Sequence, residues 1–232
     1  MYHSNFITLF LPKMFHNRIF WGIRHTKLNL YFSKTTTLIL SLTCGLFSRI
    51  VPKKIIYNSE ASIDFHNNKL FYSKNKTILI NNGYSPETYF SSKNLRIKFR
   101  KKNNIKKQDI VLGFAGRYVK EKNISSLLIA FSKTITNYSN IYLFMAGNNI
   151  NSANKELTKI IFDLKITKKV HFMNEQSNLL EFYNGIDMLL LVSHSESFPN
   201  VIAEAMLCST PVLSSNAGCA KKIVNDCGFI LN

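Results

Sequence analysis

Two glutamates separated by seven residues lie in the chemically most distinctive segment of the sequence, SESFPNVIAEAM at residues 195–206. The segment lies shortly after an apolar run at residues 187–192, so we expect Glu196 in the loop at the carboxyl end of a strand. Pro199 favours the first turn of a helix, which places Glu204 about a turn and a half into that helix. A carboxylate accepts several hydrogen bonds from hydroxyl groups. The pair therefore predicts a site for a polyhydroxylated ligand, and the helix N-terminus between the two acids offers N–H groups to a phosphate.

A second group of residues follows the apolar run at residues 109–115 and reads GRYVKEKN. Gly116 lets the backbone come close to a ligand, and Arg117 and Lys122 supply two cations. Charge-assisted hydrogen bonds from such cations are typical of diphosphate sites. No Asp-x-Asp motif accompanies them, so we expect these cations, and not a divalent metal, to neutralise the phosphates. Gly147, after a later apolar run, is a third position for close approach.

Short apolar runs alternate with amphipathic stretches throughout the second half of the chain. The runs read as buried strands at residues 109–115, 141–146, 170–173, 187–192, 211–214 and 228–231. Apolar residues at helical spacing follow the first two runs. This alternation predicts an α/β fold with a parallel, doubly wound sheet, whose ligands bind at the carboxyl ends of its strands. We assign residues 109–232 to a nearly complete Rossmann-like domain.

The first half of the chain shows the same pattern less regularly. Strands are predicted at residues 18–23, 54–57 and 77–80, and helices at residues 28–50 and 61–70. A doubly wound domain normally opens with a strand, a glycine-rich turn and a helix, and residues 1–17 leave no room for them. We therefore assign residues 1–92 to the later part of a second, partial α/β domain.

The composition is that of a folded protein. Hydrophobic residues make up 46% and charged residues 19% of the 232 residues, which excludes disordered and collagen-like classes. The longest apolar run, residues 35–46, is too short for a membrane-spanning helix, and the N-terminus lacks the pattern of a secretory signal. The four cysteines form no CxxC pair. We expect a cytoplasmic protein with reduced thiols.

The formal net charge of +17 lies almost entirely in the first half. Residues 1–110 contain 19 Lys and Arg against four Asp and Glu. The densest part, residues 93–108, is interpreted as a solvated basic linker that could also attract phosphate, nucleic acid or an anionic membrane. A nucleic-acid surface would interleave aromatic and basic residues, and Phe99 is the only aromatic residue in this segment. We therefore expect no nucleic-acid partner.

Taken together, these motifs resemble the retaining glycosyltransferases of the large family 4 group, which have the two-domain GT-B fold. The matching landmarks occur in the family's order and are residues 21–25, residues 55–60 with His66, residues 80–84 with Phe90, Gly116, Arg117 and Lys122, Ala146 and Gly147, the motif from Glu196 to Glu204, and residues 210–212 with 217–218. Because these seven landmarks keep their order over nearly the whole chain, the match is far more specific than two glutamates alone.

The resemblance implies a nucleotide-sugar donor bound mainly by residues 109–232, and transfer with retention of configuration to a glycan or lipid-linked acceptor. Glu196 would contact the donor sugar hydroxyls, and His25, or Arg24 beside it, would face the transferred sugar. The implied donor-binding residues are Gly116, Arg117, Lys122, Gly147, Asn174, Ser197, Phe198, Pro199 and Glu204. Among them, Glu204 would hold the ribose. No cofactor or obligatory metal is implied, and the protein would be peripheral at the inner face of a membrane, in cell-surface polysaccharide biosynthesis.

The sequence also departs from the family pattern. Ser197 stands where the family usually has glycine after the first acid, Cys219 replaces another common glycine, and Lys222 replaces a common acid. Two full GT-B domains need roughly 300 residues. The resemblance thus implies a chain shortened at both ends, which leaves two alternatives open: a nucleotide-binding fragment without catalysis and a GT-B nucleotide-sugar epimerase.

Overall fold

The computed structural model describes residues 1–26, 28 and 34–231, and it divides the chain into two compact units. Unit 1 comprises Met1–Gly83 together with Ser195–Pro199 and Ala217–Cys219. Unit 2 comprises the remainder, from Tyr84 onward. Among the described residues, we find no helix with the length and apolar character that a membrane span requires.

Unit 1 is built on a three-stranded parallel sheet in the order β1-β2-β3. Its helices and strands are α1 (Tyr2–Ile7), β1 (Phe20–Ile23), α2 (Thr35–Phe47), β2 (Lys54–Tyr57), α3 (Glu60–Lys69) and β3 (Thr77–Leu79), with 3-10 helices at Thr8–Phe10, Lys13–Arg18 and Lys74–Lys76. The three predicted strands and both predicted helices are confirmed, although α2 is shorter than the predicted helix at residues 28–50. Residues 29–33 of that prediction lie outside the described residues.

Helix α1 is an element that the sequence analysis does not predict. It is only six residues long, and Tyr2 is its one fully buried aromatic residue. The Tyr2 hydroxyl donates a hydrogen bond to Nε2 of His66 over 2.8 Å. The Nδ1 atom of His66 lies 2.7 Å from the carbonyl oxygen of Ser62. Because a carbonyl oxygen only accepts, Nδ1 carries the ring proton and Nε2 is the acceptor for Tyr2.

His66 lies at the centre of the unit 1 core. It is completely buried, and the rings of Tyr57 and Tyr72 lie 5.6 Å and 5.1 Å from it, measured between centroids. Burial lowers the pKa of His66 to about 4, an effect that the hydrogen bond to Ser62 opposes and the charge of His25 reinforces. His66 is therefore a neutral structural residue of this core, as expected for a histidine surrounded by aromatic rings.

Unit 2 contains a six-stranded, entirely parallel sheet in the order β6-β5-β4-β7-β8-β9. Its elements are α4 (Lys93–Lys102), β4 (Ile110–Ala115), α5 (Ile124–Thr134), β5 (Ile141–Ala146), α6 (Lys155–Asp163), β6 (Val170–Asn174), α7 (Leu180–Gly185), β7 (Met188–Leu191), α8 (Asn200–Leu207), β8 (Val212–Ser215), α9 (Ala220–Val224) and β9 (Gly228–Leu231), with a 3-10 helix at Lys120–Lys122. All six predicted strands are confirmed within one residue at either end.

Both faces of this sheet are covered, as its near-continuous apolar strands predict. Val111 and Ala115 of β4 belong to one hydrophobic cluster, and Phe114 of the same strand belongs to the other. Residues of α5 and α6 pack in the cluster of Phe114, whereas residues of α4, α7, α8 and α9 pack in the opposite one. The result is a Rossmann-like arrangement with helices on both faces.

The charge pattern predicts a solvated linker at residues 93–108, whereas the structure has helix α4 in its place. The Ser92 side chain caps the helix by accepting a hydrogen bond from the N–H of Leu95. Phe99 is buried against Gly185, where any β-carbon would lie 2.1 Å from its ring. Packing of this single aromatic residue makes the segment part of the unit 2 core.

The cations of α4 find their acidic partners far away in sequence. Arg96 and Arg100 both pair with the carboxylate of Asp187, which also accepts a hydrogen bond from the N–H of Val111 over 2.7 Å. Lys98 pairs with Glu181 on α7 at 3.0 Å. A carboxylate that binds two guanidinium groups and a strand amide joins α4 to the start of β7 and to β4. Because these acids lie over 80 residues along the chain, the local charge pattern gave no sign of them.

Acidification should destabilise unit 1 through His66. Its pKa is about 4 in the folded chain against 6.5 when exposed, so the unfolded state binds the proton first as the pH falls. The contribution of neutral His66 to the free energy of unfolding is therefore present above pH 6.5. This free energy should fall by about 2 kcal/mol between pH 7 and pH 5. The one tryptophan of the chain, Trp21, is buried in unit 1, so urea unfolding followed by its fluorescence measures this unit.

The His66→Gln variant should lose most of this pH dependence. His3→Gln is the matched control, because His3 is exposed and the same substitution there should leave the dependence intact. An equally steep pH dependence in His66→Gln and His3→Gln would contradict the assignment to His66.

Candidate functional site

The strand order of unit 2 reverses between β4 and β7, and this is where ligands of doubly wound sheets bind. The loop after β4 begins at Gly116, and the loop after β7 begins at Val192. The two loops are joined by a hydrogen bond from the N–H of His194 to the carbonyl oxygen of Glu121, at 2.8 Å. The segment with Arg117 and Lys122 therefore lies at the switch point, where the sequence analysis expects it.

Glycines bring the loops after three neighbouring strands into direct contact. Gly147 has φ +138°, and a β-carbon there would lie 2.0 Å from the carbonyl oxygen of Gly116. The N–H of Gly116 donates to the carbonyl oxygen of Ala146, and the N–H of Gly147 donates to that of Asn174, both at 2.9 Å. The structure thus brings Gly116, Gly147 and Asn174 together at the carboxyl ends of β4, β5 and β6.

The two predicted cations lie in the loop after β4, Arg117 ahead of its 3-10 helix and Lys122 at the end of that helix. Arg117 is exposed, whereas Lys122 is half-buried. The methylene chain of Lys122 lies over Gly116, since a β-carbon on that glycine would be 3.4 Å from its Cε atom. Asn123 then adopts a left-handed conformation with φ 52° and is the N-cap residue that precedes α5. The lysine stem is therefore packed on the same glycine that approaches Gly147.

Glu204 lies on α8 and is half-buried. The hydroxyl of Tyr183 donates a hydrogen bond of 2.8 Å to its Oε2 atom. Burial raises the pKa of the Glu204 carboxyl above its usual range, and the hydrogen bond from Tyr183 opposes that shift. Tyr183 was missed by the sequence analysis, although a tyrosine directly after Phe182, in a segment that begins with two leucines, is a signal of a buried ring whose hydroxyl needs a partner.

Glu196, Ser197, Phe198 and Pro199 belong to unit 1. The Ser197 side chain is 8% exposed, and its hydroxyl donates to Oδ1 of Asn58 over 2.6 Å and lies 3.0 Å from the hydroxyl oxygen of Ser59. The extra hydroxymethyl group at this departure from the family pattern is therefore buried and hydrogen-bonded. Asn58 and Ser59 follow β2, at the carboxyl edge of the unit 1 sheet.

The other two departures lie near this segment or on the following helix. The Cys219 thiol lies 3.1 Å from the carbonyl oxygen of Ser197 and donates to it. Gly218, with φ +61°, approaches so closely that a β-carbon would lie 2.3 Å from the carbonyl oxygen of Glu196. Lys222 is an exposed residue of α9. Cys219 thus helps to hold the backbone of the segment that carries Glu196.

His25 lies two residues beyond β1 and is half-buried in unit 1. Its carbonyl oxygen accepts a hydrogen bond of 2.6 Å from the hydroxyl of Ser62 on α3. The predicted site residues thus form two sets: His25 and the 196–199 segment in unit 1, and the remaining residues in unit 2. Across the described ranges, no group of three or more His, Cys, Asp and Glu side chains is placed to hold a metal ion.

Two solved structures resemble this chain in fold. HepE from Anabaena, crystallised with UDP and glucose, matches 92% of this chain with a TM-score of 0.80 and 23% identity, and the match covers 57% of that protein. WaaG, a glycosyltransferase involved in lipopolysaccharide biosynthesis, matches 88% of this chain with a TM-score of 0.70 and 21% identity over 56% of its own length. These neighbours confirm the predicted GT-B-like fold class.

Sequence comparison gives the family directly. The capsular polysaccharide biosynthesis glycosyltransferase CapM of Staphylococcus aureus is 29% identical over 125 residues, which is 53% of this chain. The present chain spans 33% of the length of CapM in that match. The family model described as "Glycosyl transferases group 1" matches residues 96–230, a stretch that begins within α4 and ends within β9. The chain therefore belongs to the glycosyl transferases group 1 family.

Proposed function

We propose that this chain takes part in transferring a sugar from a nucleoside diphosphate sugar to a glycan or lipid-linked acceptor, and that unit 2 binds the donor nucleotide. The observation that carries the proposal is the convergence of Gly116, Gly147 and Asn174 at the switch point of the unit 2 sheet, with Lys122 packed on Gly116. A glycine-lined edge beside two cations has the shape and charge that a diphosphate needs. The UDP bound to HepE, a neighbour in fold, supports the choice of ligand class.

The diphosphate would lie against the loop after β4. Arg117 is exposed and can reach a phosphate with a bidentate hydrogen bond, whereas the packed stem of Lys122 holds its ammonium group near the loop. The N-terminus of α8 follows Pro199, and the positive end of its helix dipole favours the same anion. We propose that these groups bind the phosphates without an obligatory metal.

The ribose and the base would lie on either side of this loop. Glu204 is half-buried and retains lone pairs beyond the one used by Tyr183, so it can accept hydrogen bonds from ribose hydroxyls. Asn174 is exposed at the end of β6 and adopts φ 57°, which presents its backbone at the sheet edge where we propose the base binds.

The transferred sugar would be held by Glu196 and the residues that follow it. We propose that Glu196 accepts hydrogen bonds from its hydroxyls, that the backbone of Ser197 and Phe198 lines the same subsite, and that His25 faces the transferred sugar. Ser197 supports the arrangement because its buried hydroxyl fixes the segment to Asn58. Transfer with retention of configuration is part of this proposal.

Cell-surface polysaccharide biosynthesis is the setting that we propose for the reaction. CapM and WaaG are named for capsular polysaccharide and lipopolysaccharide biosynthesis, which supports an acceptor of that class. Four exposed lysines lie at the end of α4 and just after it: Lys101, Lys102, Lys106 and Lys107. We propose that they attract the anionic inner face of a membrane, where a lipid-linked acceptor would be found.

Loss of either loop cation should weaken nucleotide binding. Arg117→Ala and Lys122→Ala should each lower the affinity for UDP or GDP about ten- to a hundredfold, because each removes a charge-assisted contact of about 1.5–3 kcal/mol. Isothermal titration calorimetry on the purified chain measures this directly. Lys133→Ala removes an exposed cation from the last turn of α5 and should bind like the wild type. Wild-type affinity in both loop variants would rule out the proposed diphosphate site.

Neutralising Glu204 should weaken binding only of ligands that carry ribose hydroxyls. Glu204→Gln should lower the affinity for UDP by about tenfold, because an amide is a poorer acceptor than a carboxylate, and should leave 2′,3′-dideoxy-UDP unaffected. Glu181→Gln, which removes the carboxylate paired with Lys98 on the surface, is the matched control. An equal loss for both nucleotides would make Glu204 a structural residue.

Reversing the charge of the four exposed lysines should abolish attraction to anionic membranes. Lys101, Lys102, Lys106 and Lys107 changed together to Glu should greatly reduce sedimentation with phosphatidylserine vesicles, since each engaged cation contributes about 1 kcal/mol that added salt screens. The control reverses four exposed lysines of unit 2 on and after α6: Lys155, Lys159, Lys165 and Lys168. Unchanged vesicle binding in the first variant would remove the membrane role from this segment.

A further inference from the structure

Among the described residues, the Tyr183 hydroxyl makes the one hydrogen bond to the carboxylate of Glu204. Its ring is completely buried in unit 2, and only its hydroxyl meets the half-buried carboxylate, at 2.8 Å from Oε2. A tyrosine that needed only to fill this space could be a phenylalanine. The hydroxyl therefore requires an explanation beyond packing, and within the described part of the chain its hydrogen-bond partner is the carboxylate proposed to hold the ribose.

Tyr183 is itself held firmly at both ends of its backbone. Its N–H donates to the carbonyl oxygen of Leu179, and its carbonyl oxygen accepts a hydrogen bond of 2.6 Å from the hydroxyl of buried Thr210. The next residue, Asn184, accepts a hydrogen bond from the N–H of Ser92 and donates to the carbonyl oxygen of Phe90. Helix α7 is thus fixed to the chain on both sides, so the Tyr183 hydroxyl is a rigid donor.

We propose that Tyr183 is a positioning residue for ribose recognition: its hydroxyl holds Oε2 of Glu204 so that the remaining lone pairs of the carboxylate meet the ribose hydroxyls of the donor nucleotide. This inference rests on the proposed function. A carboxylate has about four acceptor sites, and Tyr183 occupies one of them. The bond also lowers the conformational entropy cost of nucleotide binding, because the Glu204 side chain is already ordered before the nucleotide binds.

The same bond favours the ionised form of the Glu204 carboxylate. Burial raises the pKa of Glu204, and the Tyr183 hydrogen bond is the interaction that lowers it again. The other titratable groups whose ionisation is coupled to this carboxylate are the Tyr89 phenol and the Cys208 thiol, and burial raises the pKa of both. Both are neutral at pH 7 and do not supply charge to the site. Loss of the Tyr183 hydroxyl should therefore allow Glu204 to protonate at a higher pH.

The test compares UDP with 2′,3′-dideoxy-UDP across pH 5 to 8, for the wild-type chain and Tyr183→Phe. The ratio of the two affinities isolates the ribose contacts, because titration of the diphosphate affects both ligands alike. In Tyr183→Phe this ratio should fall about tenfold at pH 7, and the pH at which the wild-type preference for UDP is half lost should move upward. Affinity for the dideoxy nucleotide should stay the same.

Tyr89→Phe is the matched control. The Tyr89 ring lies 5.9 Å from that of Tyr183, and no hydrogen bond joins its hydroxyl to Glu204, both residues lying in the described part of the chain. This variant removes the same group from the neighbouring ring and should keep the wild-type ratio and pH dependence. In the background of Glu204→Gln, Tyr183→Phe should have no further effect on the ratio.

Each outcome separates the inference from the proposed function. If Glu204→Gln loses the preference for UDP but Tyr183→Phe keeps it at every pH, Tyr183 only fills the core and the inference fails alone. If Glu204→Gln itself shows no selective loss, the ribose role of Glu204 fails and the inference with it. Should Tyr183→Phe not fold, a ring-fluorinated tyrosine at position 183 keeps the shape with a more acidic hydroxyl. In this variant, half of the preference for UDP should be lost at a lower pH than in the wild type. If that pH is the same as in the wild type, the inference is overturned.

Discussion

The close approach of Gly147 to the main chain of Gly116 is the contact on which the proposed donor site depends. Without a side chain at position 147, the backbones of the loops after β4 and β5 are in direct contact. The N–H of Gly147 donates a hydrogen bond to the carbonyl oxygen of Asn174 at the end of β6. Any β-carbon would meet a carbonyl oxygen at 2.0 Å and separate the loops. The stem of Lys122 packs on the same glycine, so one constraint sets both the shape and the charge of this edge.

Support for this edge comes from the opposite end of the sheet. Asp187 binds two guanidinium groups of α4 and the N–H of Val111 at the start of β4, and its own N–H donates to the carbonyl oxygen of Val111. Parallel strands need such fixed starting points, because their crossovers are long and their register is not set by a hairpin. A basic helix that looks solvated in sequence thereby contributes to placing β4 and β7 side by side, where the order of strands reverses.

Unit 1 shows how far a buried polar group can shape a small core. The neutral His66 lies on α3 within a group of aromatic rings and joins that helix to α1 through its hydrogen bond with Tyr2. Its other ring nitrogen donates to Ser62 of the same helix. Ser197, from the second half of the chain, is accommodated in the same unit by Asn58 and Ser59. A serine in place of the family's usual glycine is thus explained by partners that satisfy its hydroxyl in a buried position.

The sequence by itself determined the strands, the switch-point loop and the family. An apolar run such as residues 141–146 is itself typical of a strand buried on both faces. Such a strand can therefore be identified without knowing which strands lie beside it. The tertiary structure decided which polar side chains form hydrogen bonds with each other. Arg100 meets Asp187, Tyr183 meets Glu204 and Ser197 meets Asn58 across 87, 21 and 139 residues of sequence. Such contacts carry no local pattern, because only the folded backbone brings their partners within the 3 Å or so that a hydrogen bond spans.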